Sequence, residues 1–244
     1  MRLGAVHAEG PYAESAEALM RDAASGTRWS VLPADSIFFM SRAAIRAALL
    51  DAHPDVAAVS ISRSGLRGLS VTLLPRVAAF LWCGESKPLD ADSRCYAADA
   101  EGLAFAFVPT VPDEMQADAA AADVARSLPP AAQGLWIYGP LENGATENPI
   151  GARVRGAERI PETLRFAHAL QAIGAPVQAI QFQDDEARLY LESGTYVRYV
   201  VGRENQALAI AQAAFPRIPL RDGSIEYVDL RFDGKAYVMP RDAR

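Results

Sequence analysis

Positive charge is scarce in this sequence. Its 24 lysines and arginines face 30 acidic residues, for a net charge of −6. That balance argues against a general nucleic-acid binder or a polybasic membrane binder, since both need a positive field. Long apolar runs are also missing. No stretch approaches the roughly 18 apolar residues of a membrane span, and Met1 is not followed by a signal-peptide core. The motifs of common chemistries are absent too: there is no G-x-S-x-G, no G-x-G-x-x-G and no Walker A. "DGK" at Asp233–Lys235 lacks the upstream glycine of a phosphate loop. Three histidines, His7, His53 and His168, fall on three different expected elements, and the cysteines have neither CxxC nor zinc spacing. No metal, no cofactor and no catalytic constellation is therefore expected. Asp184, Asp185 and Glu186 read as a solvated hairpin turn, because a calcium loop spreads its ligands over about a dozen residues. Asp99 and Glu101 before Gly102 are likewise turn chemistry.

Only two cysteines occur, Cys83 and Cys95, in "WCGESKPLDADSRC". The intervening Gly, Pro, Ser and Asp let the chain loop back; two thiols in a reducing compartment also fit, but two nearby cysteines and no others favour a bridge in an oxidising one.

What is present is an ordinary globular balance, with 50% apolar and 22% charged residues. Leu3–Ala8 reads as a strand. Residues 13–24 place Ala16, Leu19, Met20 and Ala23 on one helical face, and Gly26 ends that helix. After "SIFFM", Ser41 is a good N-cap for a second helix with Ile45, Ala48, Leu49 and Ala52 on its face, stopped by Pro54. Two alternating strands follow, "VAAVSISR" and "LSVTLL", around the glycines of "SGLRG". The order is β-α-α-β-β, a three-stranded sheet with two helices on one face.

From residue 75 strands dominate. "RVAAFLW" leads into the cysteine loop, and "CYAADAEGLAFAF" reads as two strands around a turn. Between 109 and 150, six prolines and Asn143-Gly144 leave mostly loop, with a short alanine-rich helix at 113–126 and a strand in "GLWIYG". A helix over 161–173 buries Phe166, Ala169, Leu170 and Ile173. A three-strand meander, a helix over 204–215 with Ala207, Ile210, Ala211 and Ala214 on one side, and a closing hairpin complete the chain. The fold class is α+β, with domains at 1–74 and 75–244, the second mostly antiparallel β with flanking helices.

The first domain, with Gly10, the two helices, "HPDVAAVSISR", "GLSVTLL" and "PRVAAFLW", resembles the POTRA domain of FtsQ/DivIB cell-division proteins. "CYAADAEGLAF", "RLYLESGTYVRYVVGRENQALAIAQAAF" and "IEYVDLRFDGKAYV" are similar, in order, to that family's β domain. The resemblance spans most of the chain outside about 109–160. It implies a non-enzymatic scaffold of the bacterial divisome, tethered to the cytoplasmic membrane by one helix ahead of residue 1, with its bulk on the extracytoplasmic face. It also makes a Cys83–Cys95 bridge reasonable. A different POTRA-bearing module, from an outer-membrane assembly or secretion system, is the alternative.

In "SIEYVDLRFDGKAYVMP" two alternating segments flank Asp233-Gly234, which reads as a hairpin. Asp229 and Arg231 share a strand face, with Tyr227 beside them, as a surface or semi-buried ion pair expected to contribute under about 1 kcal/mol. The last strand, Lys235–Met239, has one edge free to template another chain. The resemblance implies that this edge accepts a β-strand from an FtsB-type partner in a complex that also holds an FtsL-type protein. The positions concerned are Phe232, Lys235, Ala236, Tyr237, Val238 and Met239, and Pro240, lacking a donor, is expected to end the pairing. The strand "VAAVSISR" of the first domain, or its neighbour, is a second surface that can pair with a partner.

Overall fold

The structure, a computed structural model, describes residues 5–24, 27–28, 32–33, 42–64, 68–87, 94–109, 127–130, 132–142 and 148–241. Gly26, "SIFFM", Ser41, Gly65, the helix expected at 113–126 and the Asn143-Gly144 turn lie outside these residues. The protein is a mixed α+β chain, richer in strands than in helix, that divides into two compact units, Met1–Val77 and Ala78–Arg244.

The first unit runs β1 (Ala5–Glu9), α1 (Ala13–Ala24), the two-residue strands β2 (Thr27–Arg28) and β3 (Leu32–Pro33), α2 (Arg42–Ala52), β4 (Val56–Ser64) and β5 (Gly68–Pro75). Its main sheet has the order β1-β5-β4, with β5 parallel to β1 and antiparallel to β4. Val56, Val59 and Ile61 of β4 pack with Leu69, Val71 and Leu73 of β5, under Ala16 and Met20 of α1 and Ile45 and Leu49 of α2. Simple alternation does not put both Val56 and Val59 in the core, because they are three apart. A bulge at Ala57 shifts the register between Val56 and Ala58 and turns both inward. On α2 only Ile45 and Leu49 are buried, and Ala48 and Ala52 are exposed. Two large side chains one turn apart fill the available space, so the buried stripe is narrower than its period suggests.

The second unit contains β6 (Phe80–Trp82), β7 (Cys95–Ala98), β8 (Ala104–Val108), β9 (Trp136–Tyr138), α3 (Ile160–Ala172), β10 (Val177–Gln183), β11 (Glu186–Leu191), β12 (Tyr196–Val200), α4 (Glu204–Ala214), β13 (Ile225–Asp229) and β14 (Tyr237–Pro240). They form one nine-stranded sheet ordered β14-β13-β12-β11-β10-β9-β6-β7-β8. Three pairings are parallel: β12 with β13, β10 with β9, and β9 with β6. Parallel neighbours need a crossover. Helix α4 spans the one between β12 and β13, and α3 the one between β9 and β10.

Helix α3 buries Thr163 and Leu164 as well as Phe166 and Leu170, whereas Ala169 and Ile173 are only partly covered. The Thr163 hydroxyl meets the Tyr199 hydroxyl at 2.8 Å inside the core, fastening α3 to β12. Burial pushes the Tyr199 phenol well above its ordinary value, so it stays protonated. Tyr199→Phe removes one partner and leaves the Thr163 hydroxyl buried without it. We expect a loss of about 1–2 kcal/mol by chemical denaturation, and no loss if water replaces the missing oxygen.

Candidate functional site: a bare sheet edge

Strand β14 is the last strand in the order, and all four of its residues are exposed. It pairs antiparallel with β13 in the register Asp229↔Tyr237, Val228↔Val238, Tyr227↔Met239 and Ile225↔Pro240. Two expectations are corrected here. The strand begins at Tyr237, so Lys235 and Ala236 belong to the loop, where Gly234 takes φ 68° and the Lys235 N–H reaches back to the Phe232 carbonyl. Pro240 does not end the pairing: it lies within the strand, and the Arg241 N–H donates to the Ser224 carbonyl at 2.7 Å.

The side of the strand on which a proline sits explains the second correction. Backbone polar groups alternate sides along a strand. With Arg241 bonded inward, Met239 and Tyr237 also point their N–H and C=O groups at β13. Val238 and Pro240 point theirs outward. The missing donor of Pro240 therefore falls on the outer side, where β13 loses nothing. The outer edge offers the Val238 N–H and C=O and the Pro240 C=O.

The two main sheets have four edges, and they differ. At β1 the Glu17 carboxylate accepts the Ala8 N–H at 3.2 Å. At β4 the Arg46 guanidinium donates to the Val59 carbonyl at 2.9 Å. At β8 the segment 151–152 bonds both the N–H and the C=O of Ala104. Among the described residues nothing pairs with the outward groups of β14. Apolar surface gathers at the same place. Phe232, Tyr237, Val238 and Met239 are four of the ten large apolar side chains exposed among the described residues. Phe232 and Tyr237 meet edge to face at 4.9 Å between ring centres. Met239 stands opposite Tyr227, which stacks on Tyr196 at 5.3 Å, so an aromatic row runs inward from the edge. Val238 stands opposite the buried Val228, on the other face of the sheet.

Behind the edge lies an ion network. Arg231 grips Asp229 with its guanidinium and its own N–H, and it also bonds Glu186, 45 residues earlier, which Arg198 bonds in turn. Asp229 is only 5% exposed, so the pair is semi-buried, and Glu186 and Arg198 extend it to a set of four charges. Burial pushes the Asp229 carboxyl up, but the hydrogen bonds from Arg231 outweigh it and hold it below the usual carboxylate range. Glu186 is lowered in the same way: burial raises it, and Arg231 and Arg198 overcome that. Groups depressed in the fold stabilise it above their unfolded values, and that stability disappears as pH falls through the folded ones. Acid titration should therefore show a loss below about pH 4. Asp229→Asn should cost about 1.5–3 kcal/mol at neutral pH and flatten the acid limb, as read by urea midpoints at several pH values.

Cys83 and Cys95 are joined, with sulfurs 1.99 Å apart, and lie buried against Tyr138 and Ala179 on the face of the sheet that carries the aromatic row. Lys87, within the loop they close, sits 4.3 Å from the Tyr190 ring centre. His7 lies on β1, His53 just past α2 and His168 on α3, and no metal-ligand group of three or more forms among the described residues. Asp99 shapes its turn by accepting the N–H groups of Glu101 and Leu103. Neither Glu186 nor the Tyr227–Tyr196–Tyr190 row was anticipated, and only strand register brings them to the hairpin. A scan against protein-family models and a search of curated proteins each find no match to this chain.

Proposed function

We propose that this chain is the extracytoplasmic part of an FtsQ/DivIB-like cell-division protein, a non-enzymatic divisome scaffold. It takes a β-strand from an FtsB-type partner along β14, in a complex with an FtsL-type protein, and needs no cofactor. The observation that carries the reading is the edge of β14, bare among the described residues and coinciding with the densest cluster of exposed apolar side chains. Further support comes from the β-α-α-β-β order of the first unit, which suits a POTRA domain, and from the buried disulfide, which suits a location outside the cytoplasm.

The energetics favour a composite interface. Three outward main-chain groups contribute only about 0.5–1.5 kcal/mol each. Covering the hairpin's apolar side chains at about 25 cal/mol per Å² supplies the remainder. The test is a titration of the labelled chain with the extracytoplasmic segment of an FtsB-type protein. The Val238 amide should shift and become protected from exchange. Saturable binding that leaves Val238 unprotected removes the proposal.

A further inference from the structure

We propose that the sheet face beside the disulfide loop binds a small phosphate-bearing anion through Lys87, Arg188, Tyr196 and Tyr227.

Strand register gathers the site on one face. Strand β11 buries Ala187, Leu189 and Leu191, so Arg188 and Tyr190 point to the opposite face. Pairing with β12 sets Arg188 opposite Arg198 and Tyr190 opposite Tyr196, and pairing with β13 sets Tyr196 opposite Tyr227. The Tyr190 and Tyr196 ring centres are 5.7 Å apart, and a cation rests on each ring. Lys87 Nζ lies 4.3 Å from the Tyr190 centre, and the Arg188 guanidinium 5.5 Å from that of Tyr196. The Cys83–Cys95 bridge closes the loop that brings Lys87 there.

The place is marked by an excess of hydrogen-bond donors. Arg198 is matched by Glu186, with its Nε donating to Oε2 at 2.8 Å. Arg188, directly across the strands, has no such match. Among the described residues neither Lys87 nor Arg188 meets a carboxylate, and the Tyr196 and Tyr227 hydroxyls have no acceptor. The Tyr190 hydroxyl is already donated to Gln181 at 2.8 Å. Like charges directly opposite on a sheet repel, and burial holds the Lys87 ammonium below its ordinary value. A bound anion relieves both costs. A ring occupies one side of a cation and leaves its remaining N–H groups for another partner. Glu226, exposed on β13, acts on Tyr196 and sets one negative charge against the two cations.

Two cations and two phenols call for an anion with several oxygens and more than one charge. A carboxylate offers two oxygens and a single charge. A phosphate group offers three and carries about two charges near neutral pH. It takes a guanidinium fork in bidentate fashion and a lysine as a point charge. All four side chains are half-buried, so the site holds the phosphate end of a small molecule and leaves the remainder in solvent.

The test uses the full ¹⁵N-labelled chain, titrated with inorganic diphosphate and, separately, with succinate. Diphosphate should shift the Arg188 and Tyr196 amides and bind about tenfold more tightly than succinate. Lys87→Gln and Arg188→Gln should each weaken it about tenfold, and Tyr196→Phe about threefold. Arg165→Gln, which removes an exposed cation from α3, should leave it unchanged, and so should Val238→Pro, which keeps this site apart from docking at β14. No shift with diphosphate overturns the inference, as does equal binding of succinate or an equal loss in Arg165→Gln. Preference for a glutamate-rich peptide, or binding to phosphatidylglycerol vesicles but not to diphosphate, overturns it too, by assigning the cations to a protein or a membrane surface.

Discussion

Replacing Val238 with proline should abolish strand docking, a loss of about a hundredfold or more, equivalent to about 2.7 kcal/mol. The unfolding midpoint of the chain should hardly change. Val238 is the one residue of β14 whose N–H and C=O both face outward. Proline there removes the only outward donor and puts ring atoms in the path of an incoming strand. The pairing with β13 keeps its donors, because these belong to Tyr237, Met239 and Arg241. Pro240, two residues on, already shows that a proline fits this side of the strand. Tyr237→Pro is the instructive contrast. The Tyr237 N–H points at Asp229, so that substitution breaks the hairpin and would lose binding through unfolding alone. Val238→Thr, which keeps the backbone and most of the side chain's shape, should cost less than about tenfold. Calorimetric titration with an FtsB-type segment separates these cases. Wild-type affinity in Val238→Pro, with the hairpin intact, means that the partner docks elsewhere.

The helices and strands that pack by period alone were readable from sequence. Ala16 and Met20, Ile45 and Leu49, and Ala207, Ile210 and Ala211 all recur at helical spacing and are all buried. Strands β11 and β12 show clean alternation and occur where it places them, whereas β10 is bulged and buries the adjacent Ala179 and Ile180. The rest depended on information that no short window holds. Lys235 and Ala236 look like strand residues, but the turn around Gly234 takes them into the loop. Pro240 looked like a stop because a sequence does not say which side of a strand its donors face. The bulge at Ala57 is a register event between two strands, visible only once both are paired. Glu186 read as part of an acidic turn and became the link between Arg198 and Arg231, because β11, β12 and β13 lie side by side. The parallel pairing of β6 with β9 and of β9 with β10 was equally hidden, since tertiary packing sets the order of non-consecutive strands.

Gly10→Ala should destabilise the first unit by about 3 kcal/mol or more, enough to unfold a small domain, while the second unit keeps its own transition. Two independent costs add at this position. Gly10 has φ 106°, a backbone conformation that side chains with a Cβ rarely adopt. A Cβ built there would lie 2.3 Å from the Leu73 carbonyl oxygen, far inside contact distance. The obstacle is main chain and cannot rotate away. Leu73 sits in β5, the central strand, held by β1 on one side and β4 on the other, and its side chain is 1% exposed. Gly234 is the control. Its φ is also positive, at 68°, yet nothing lies within 4 Å of a Cβ there, so Gly234→Ala pays only the backbone term of about 1 kcal/mol. Proteolysis and thermal scans that follow the two units separately can read the difference. Equal, small effects at both glycines would mean that β1 can move away from β5 at Leu73, and then the close approach at Gly10 is not what seats the first helix on its sheet.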